Sequence, residues 1–255
     1  MARALEAGYG TLSNTRVHEV ASVARSLWER VQSLVATPNP ADIGQLIRLN
    51  SEELYPLNPT QIQLLVDALC QTQMPYLHHV RALIQNQKIG KYTLTPDQIE
   101  QLIDTMRSAR DPYLHDVRQL IQEQESKSYA LTPEQVQNLV YTMTWANSQK
   151  GFREICDLVT NQLMEWYRLS PSQVNLLVNK AIHEETRAID LRGLIHFQND
   201  CGYMLTPLQL QGIVDILCKI DNKNQLDLLI DYQSIFRYTL TSAQIEQIRY
   251  AMTQK

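Results

Sequence analysis

Glycine is scarce in this chain, with eight residues among 255, and none falls in a loop that could cradle a phosphate. Neither GxGxxG nor GxxxxGK followed by Ser or Thr occurs, which removes the two commonest nucleotide-binding signatures. The four cysteines, Cys70, Cys156, Cys201 and Cys218, form no CxxC pair. That spacing is a reduced-thiol pattern and suits the cytoplasm. No apolar run reaches the ~18 residues that a transmembrane helix needs. The first residues, MARALEAGYG, lack the hydrophobic stretch of a secretion signal, although delivery into a host cell by a specialised secretion system would leave no mark there. Catalytic and metal signatures are missing too. HEE at His183 has no second histidine to complete HExxH, His78 and His79 are adjacent and diverge on a helix, and GxSxG is absent. The expectation is therefore no enzyme, no metal and no cofactor. Basic residues hold no surplus either: 23 Lys and Arg against 27 Asp and Glu leave a net charge of −4. A general polyanion binder needs clustered cations.

What the chain does contain is one phrase, six times: YPLNPTQIQLLV at Tyr55, YTLTPDQIEQLI at Tyr92, YALTPEQVQNLV at Tyr129, YRLSPSQVNLLV at Tyr167, YMLTPLQLQGIV at Tyr203 and YTLTSAQIEQIR at Tyr238. The starts lie 37, 37, 38, 36 and 35 residues apart. A period between about 20 and 50 residues marks a stacked-repeat protein. Each phrase reads as a helix entrance. Thr95 stands at the N-cap, Pro96 at the first helical position and Gln98 at the third, so Thr95 and Gln98 form a capping box. Leu94 and Ile99 are spaced as a hydrophobic staple. Beyond the cap, Ile99, Leu102, Ile103 and Met106 recur at i, i+3, i+4 and i+7, the apolar stripe of an amphipathic helix, here called helix A.

A second helix, B, follows in each unit, as in MPYLHHVRALIQNQ from Met74 to Gln87 and DPYLHDVRQLIQEQ from Asp111 to Gln124. The leucine of its closing Leu-Ile or Leu-Val pair always lies nine residues before the next Tyr, at Leu46, Leu83, Leu120, Leu158, Leu194 and Leu229. The distance from Tyr forward to that leucine varies as 28, 28, 29, 27 and 26 residues. Length changes therefore fall in the A-to-B loops, and the B-to-A corner is constant, as expected if repeats dock through that corner. Val17 to Ala36 reads as one longer helix. The pattern predicts a divergent N-terminal capping repeat over residues 1–54, five two-helix repeats over 55–237 and a C-terminal half-repeat over 238–255, in one continuous domain. The fold class is all-α: an αα-solenoid of about six to seven two-helix repeats, right-handed by analogy with other αα-solenoids.

Two invariant residues are assigned structural roles. The repeated Tyr is a half-buried wedge at the corner with its hydroxyl bonded to backbone, and the repeated Gln belongs to the capping box. Candidate binding residues lie outside the apolar stripe. The preferred surface is an exposed helix-A ridge comprising Glu100, Asp104, Gln137, Tyr141, Gln211 and Asp215. Its carboxylates would orient a basic or polar protein or peptide partner, while Tyr141 supplies buried area. The alternative is a basic helix-B face of Arg81, His115, Arg118, Arg153 and Arg192, whose residues could instead pair with helix-A carboxylates of a neighbouring unit.

LTPEQV, from Leu131 to Val136, resembles the opening of the repeats of TAL effectors, the bacterial DNA readers, and LTPDQI at Leu94 is similar to it. Those repeats are also two-helix units, with the base-reading pair in the A-to-B loop. The resemblance implies a helical-hairpin stack and, taken further, DNA reading through those loops. Here the loops read QTQMPYL, RSARDPYL, TWANSQKGF, HEETRAI and KIDNKNQL; they differ in length and share no Gly-Gly, whereas one-base-per-repeat reading needs a constant rise. A long surface with little chemistry of its own fits a non-catalytic scaffold or adaptor. The second reading is a nucleic-acid-binding helical-repeat protein, TAL-like or pentatricopeptide-like. The third is a structural subunit of a larger assembly or a bacterial effector.

Overall fold

The computed structural model describes residues 18–19, 22–23, 25–26, 28–29, 40–52, 55–71, 77–109, 112–146, 152–162, 167–183 and 188–254. Of the longer helix expected from Val17 to Ala36, the described residues are helical and Trp28 is buried; the rest of that expectation lies outside the described residues. The chain is all-α, and from Pro40 onward sixteen helices and no strand are found among the described residues. Helix A of each phrase is α2 (Pro59–Gln71), α5 (Pro96–Ser108), α8 (Pro133–Trp145), α10 (Pro171–His183), α13 (Pro207–Ile220) and α16 (Ser242–Thr253). Helix B is α1 (Pro40–Ser51) ahead of the first phrase, then α3 (Leu77–Gln85), α6 (Leu114–Gln122), α9 (Phe152–Thr160), α11 (Ala188–His196) and α14 (Lys223–Asp231). Short turns α4 (Gln87–Gly90), α7 (Gln124–Lys127), α12 (Gln198–Cys201) and α15 (Gln233–Phe236) close four of the B segments.

The residues form two compact units. Unit 1 comprises Met1–Ala109 with Lys127–Tyr129, and unit 2 comprises Arg110–Ser126 with Ala130–Lys255. Within unit 1, α2 packs on α5 and α3 packs on α1 and α5. Within unit 2 the A helices α8, α10, α13 and α16 pack each against the next, and the B helices α6, α9 and α11 do the same. The apolar stripe supplies both cores. Leu102, Ile103 and Met106 of α5, Leu139, Val140 and Met143 of α8, and Leu177, Val178 and Ala181 of α10 are fully buried. Each buried Leu, Ile or Met contributes about 1.5–3 kcal/mol.

All six helix entrances carry the reciprocal capping bonds. The Gln98 N–H donates to Thr95 Oγ1 at 3.2 Å while the Thr95 N–H donates to Gln98 Oε1 at 2.8 Å. Thr132 with Gln135, Thr206 with Gln209 and Thr241 with Gln244 repeat the pair. Asn58 with Gln61 and Ser170 with Gln173 complete the set.

The constant nine-residue corner also has a chemical cause. The corner tyrosine hydroxyl donates to the carbonyl of that leucine in four described copies: Tyr92 to Leu83 at 2.5 Å, Tyr203 to Leu194 at 2.7 Å, Tyr238 to Leu229 at 2.5 Å, and Tyr167 to Leu158. Burial raises the phenols of Tyr92, Tyr203 and Tyr238 well above the usual tyrosine range. Tyr129, Tyr167, Tyr203 and Tyr238 are buried rather than half-buried, while Tyr55 and Tyr92 are half-buried as expected; the Tyr55 hydroxyl accepts from the Gln61 side chain at 3.1 Å.

Helix B departs from the sequence expectation. It does not run unbroken to Gln87 or Gln124; it stops at Gln85 or Gln122, and a separate four-residue turn follows. The break is held by a second recurring glutamine, five residues before five of the six corner tyrosines. Gln87 Nε2 donates to the Ile84 carbonyl at 2.8 Å, and its Oε1 accepts the Leu94 N–H at 2.7 Å. Gln124, Gln162, Gln198 and Gln233 make the same two bonds. A single side chain thus ends one helix and fixes the approach to the next. In the first corner the shorter Asn50 stands at this position and donates to the Tyr55 and Gly90 carbonyls, both at 3.2 Å. The residue before the Tyr is left-handed at Lys91, Ser128, Gly202 and Arg237, with φ of 56°, 58°, 69° and 55°. This is the usual device for reversing a helix end.

Candidate functional site

The helix-A ridge was expected to be exposed. Asp104 and Tyr141 are, but Glu100, Gln137, Gln211 and Asp215 are half-buried. For Gln211 and Asp215 the cause is an amide network between consecutive A helices. In unit 1, Gln98 Nε2 donates to Gln63 Oε1 at 2.6 Å, so the capping glutamine of α5 also ties down the ridge of α2. Asp104 pairs with Arg107, one turn along α5, at 3.3 Å. In unit 2, Gln209 Nε2 donates to Asn175 Oδ1 at 2.7 Å and to Asn179 Oδ1 at 2.8 Å, joining α13 to α10. Asp215 Oδ1 accepts from Gln211 on its own helix at 2.7 Å and from Gln247 of α16 at 2.8 Å. Gln211 Nε2 also reaches Gln247 Oε1 at 2.9 Å. Asp215 therefore serves as an acceptor that fastens two helices together.

The ridge also carries aromatic rings. Tyr141 is followed one turn later on α8 by Trp145, which is 82% exposed, and Tyr250 occupies the Tyr141 register on α16 at 69% exposure. Trp145 was missed by sequence reasoning because it lies where the A-to-B loop was expected to begin. Its position, four residues after an exposed tyrosine on the same helix face, was the signal that could have found it.

The basic helix-B face is largely neutralised. Arg118 of α6 is ion-paired with Glu154 of α9, donates through Nη1 to Gln122 Oε1 at 2.6 Å, and shares Glu154 with His115, whose Nδ1 lies 3.3 Å away. Arg153 pairs with Asp157 on its own helix at 3.5 Å. Burial pushes the Asp157 carboxyl up, against the pull of Arg118 and Arg153. Arg192 is bonded to the buried carboxylate of Asp221, the C-cap of α13. The anionic partners thus come from the next B helix, from the same helix and from one helix-A terminus, where helix-A ridge carboxylates were expected. Arg81 lies half-buried in unit 1.

All four cysteines are free thiols. Among the described residues no group of three or more His, Cys, Asp and Glu could hold a metal ion, and no helix is long and apolar enough to cross a membrane. Of the A-to-B loops compared with the TAL reading loops, residues 72–76, 110–111, 147–151 and 184–187 lie outside the described residues. No protein-family model, curated protein or solved structure matches the chain. The likeness to TAL effector repeats rests on the helix entrances alone.

Proposed function

We propose that the chain is a non-catalytic interaction scaffold, a right-handed αα-solenoid of about six to seven two-helix repeats that holds a polar or basic protein segment along its A helices. The handedness is that of other αα-solenoids, and the count follows the sequence period. The observation that carries this reading is the exposure of Tyr141, Trp145 and Tyr250 on the outward ridge of packed A helices. Apolar side chains of this size do not need solvent for any role inside a stack, and Tyr and Trp are the residues that most often anchor protein interfaces. Exposed carboxylates at Asp104 and Glu246 add the charge that would orient a basic partner. The nucleic-acid reading depends on Arg81, His115, Arg118, Arg153 and Arg192. All but Arg81 already meet a carboxylate, which leaves little cationic charge for phosphates.

The test is affinity capture with the wild-type chain and a Tyr141→Ser, Trp145→Ser double variant, each with and without nuclease. A stoichiometric protein that survives nuclease and is lost with the double variant is the expected result. Recovery of nucleic acid that is lost on Arg118→Ala would overturn the scaffold reading.

A further inference from the structure

The six repeats provide their own internal alignment, and two solvent-facing positions break it in consecutive units. One residue after the corner tyrosine the chain reads Pro56, Thr93, Ala130, Arg168, Met204 and Thr239; five residues after it, Thr60, Asp97, Glu134, Ser172, Leu208 and Ala243. Arg168 is the one cation, and Met204 and Leu208 are the two large apolar side chains. Packing does not explain the latter, since Met204 and Leu208 are each 85% exposed.

An open cavity of about 570 Å³ lies within unit 2 where these two corners run side by side. This is in the range of small-ligand sites, about 300–1,000 Å³. Arg168, Leu169, Val174 and Asn175 line it from one corner and helix entrance, and Met204 and Thr206 from the next. The Thr206 hydroxyl is occupied in capping α13, and Asn175 Oδ1 by Gln209. Arg168 is different. Its Nη1 donates to the Cys201 carbonyl at 3.4 Å, which ties the guanidinium to the cavity wall. No carboxylate among the described residues pairs with it, in contrast to Arg118, Arg153 and Arg192. A guanidinium carries five N–H donors in a fork that matches a carboxylate.

We infer that this corner cavity binds a carboxylate attached to a short apolar group. Arg168 takes the carboxylate, and Leu169, Val174 and Met204 receive the apolar part. Two sources offer that chemistry: the C-terminal residue of a polypeptide and a free aliphatic carboxylate. The site stands apart from the scaffold reading, because Tyr141, Trp145 and Tyr250 take no part in it.

The full chain, labelled with ¹³C at the methionine methyls, is titrated with N-acetyl-leucine, N-acetyl-leucinamide, and a leucine-terminated hexapeptide in free-acid and amidated forms. Met204→Leu assigns the reporter signal. A saturable Met204 shift with the free acids is expected, at least about tenfold weaker with the amides and at least about tenfold weaker in Arg168→Gln, with thermal melting of that variant unchanged. Tighter binding of the free-acid hexapeptide than of N-acetyl-leucine assigns the site to polypeptide C-termini, and equal binding assigns it to small carboxylates. Equal affinity for acids and amides overturns the inference. So does retained affinity in Arg168→Gln, or the absence of any saturable shift.

Discussion

Replacing Gln198 by Met tests the account of the corner most directly. Gln198 is buried, and its side chain makes two bonds, donating to the Ile195 carbonyl at 3.0 Å and accepting the Leu205 N–H at 2.8 Å. Methionine keeps the length and most of the volume while removing both bonds, so packing loss is small. A buried backbone group left without its partner costs about 1–3 kcal/mol. Ile195 is fully buried, whereas Leu205 is only half-buried, so water can partly compensate its N–H. The sum is roughly 2–4 kcal/mol, a large share of the 5–15 kcal/mol that typically holds a domain folded. Gln71→Met, at an exposed position, is the control, expected within about 0.5 kcal/mol of wild type. Urea unfolding followed by far-UV circular dichroism reads both, with the slope checked because stacked repeats can lose cooperativity. Hydrogen exchange at Leu205 then shows whether the corner opens locally. If Gln198→Met shifts stability no more than Gln71→Met, the second glutamine is surface decoration and the corner is held by something else.

Three further outcomes are expected. Thr132→Ala removes one side of a capping box and should cost about 1 kcal/mol, while Leu139→Ala at a fully buried position should cost about 2–5 kcal/mol; the reverse order by urea unfolding would misplace the helix-A face. A Cβ at Gly44 would lie 2.2 Å from His79 Nε2, whereas one at Gly193 would have nothing nearer than 3.8 Å. Thermal unfolding should therefore show Gly44→Ala destabilising by about 1–3 kcal/mol through overpacking and Gly193→Ala stabilising by up to about 1 kcal/mol. Burial, with His78 beside one and Arg192 beside the other, lowers His79 and His196 from 6.5 to about 4. Lowered histidines favour the folded state fully above pH 6.5, and that stabilisation is lost as pH falls through about 4; urea midpoints measured from pH 7.5 to 4 should drop over that window, and less steeply in His196→Phe.

Much of the fold was legible because its determinants act locally. A cap and a glutamine within four residues, with a proline between them in five copies, specify a helix start whatever surrounds them, and all six starts are where the phrase put them. The fixed offset from Leu194 to Tyr203 likewise reported a bond, although only the geometry shows that it runs from phenol to carbonyl. The break in helix B was not read. Gln87, Gln124, Gln162, Gln198 and Gln233 all stand five residues before a Tyr, but in a chain so rich in glutamine a polar residue near a helix end passes for a solvated one. The ridge failed for a different reason. Helical periodicity tells which positions avoid the core of their own hairpin, and it is silent on the neighbouring hairpin, so it could not show that Gln209 would bond Asn175 and that Gln247 would engage Asp215.

That distinction separates scaffold from site along this chain. A residue whose partner recurs every repeat must itself recur: the corner Tyr, the capping glutamine, a polar cap and the staple leucine stand in all six copies, and the second glutamine in five. A residue that meets a partner outside the chain is free of that constraint. Arg168, Met204 and Leu208 break the register at exposed positions. Trp145 does the same at a register filled elsewhere by Gln71, Ser108, His183, Lys219 and Gln254. An arginine that meets no carboxylate among the described residues, and solvent-facing apolar side chains, gain little from folding. On the proposed readings these are the residues that meet a ligand or partner, which makes these departures, rather than the most regular positions, the first residues to mutate.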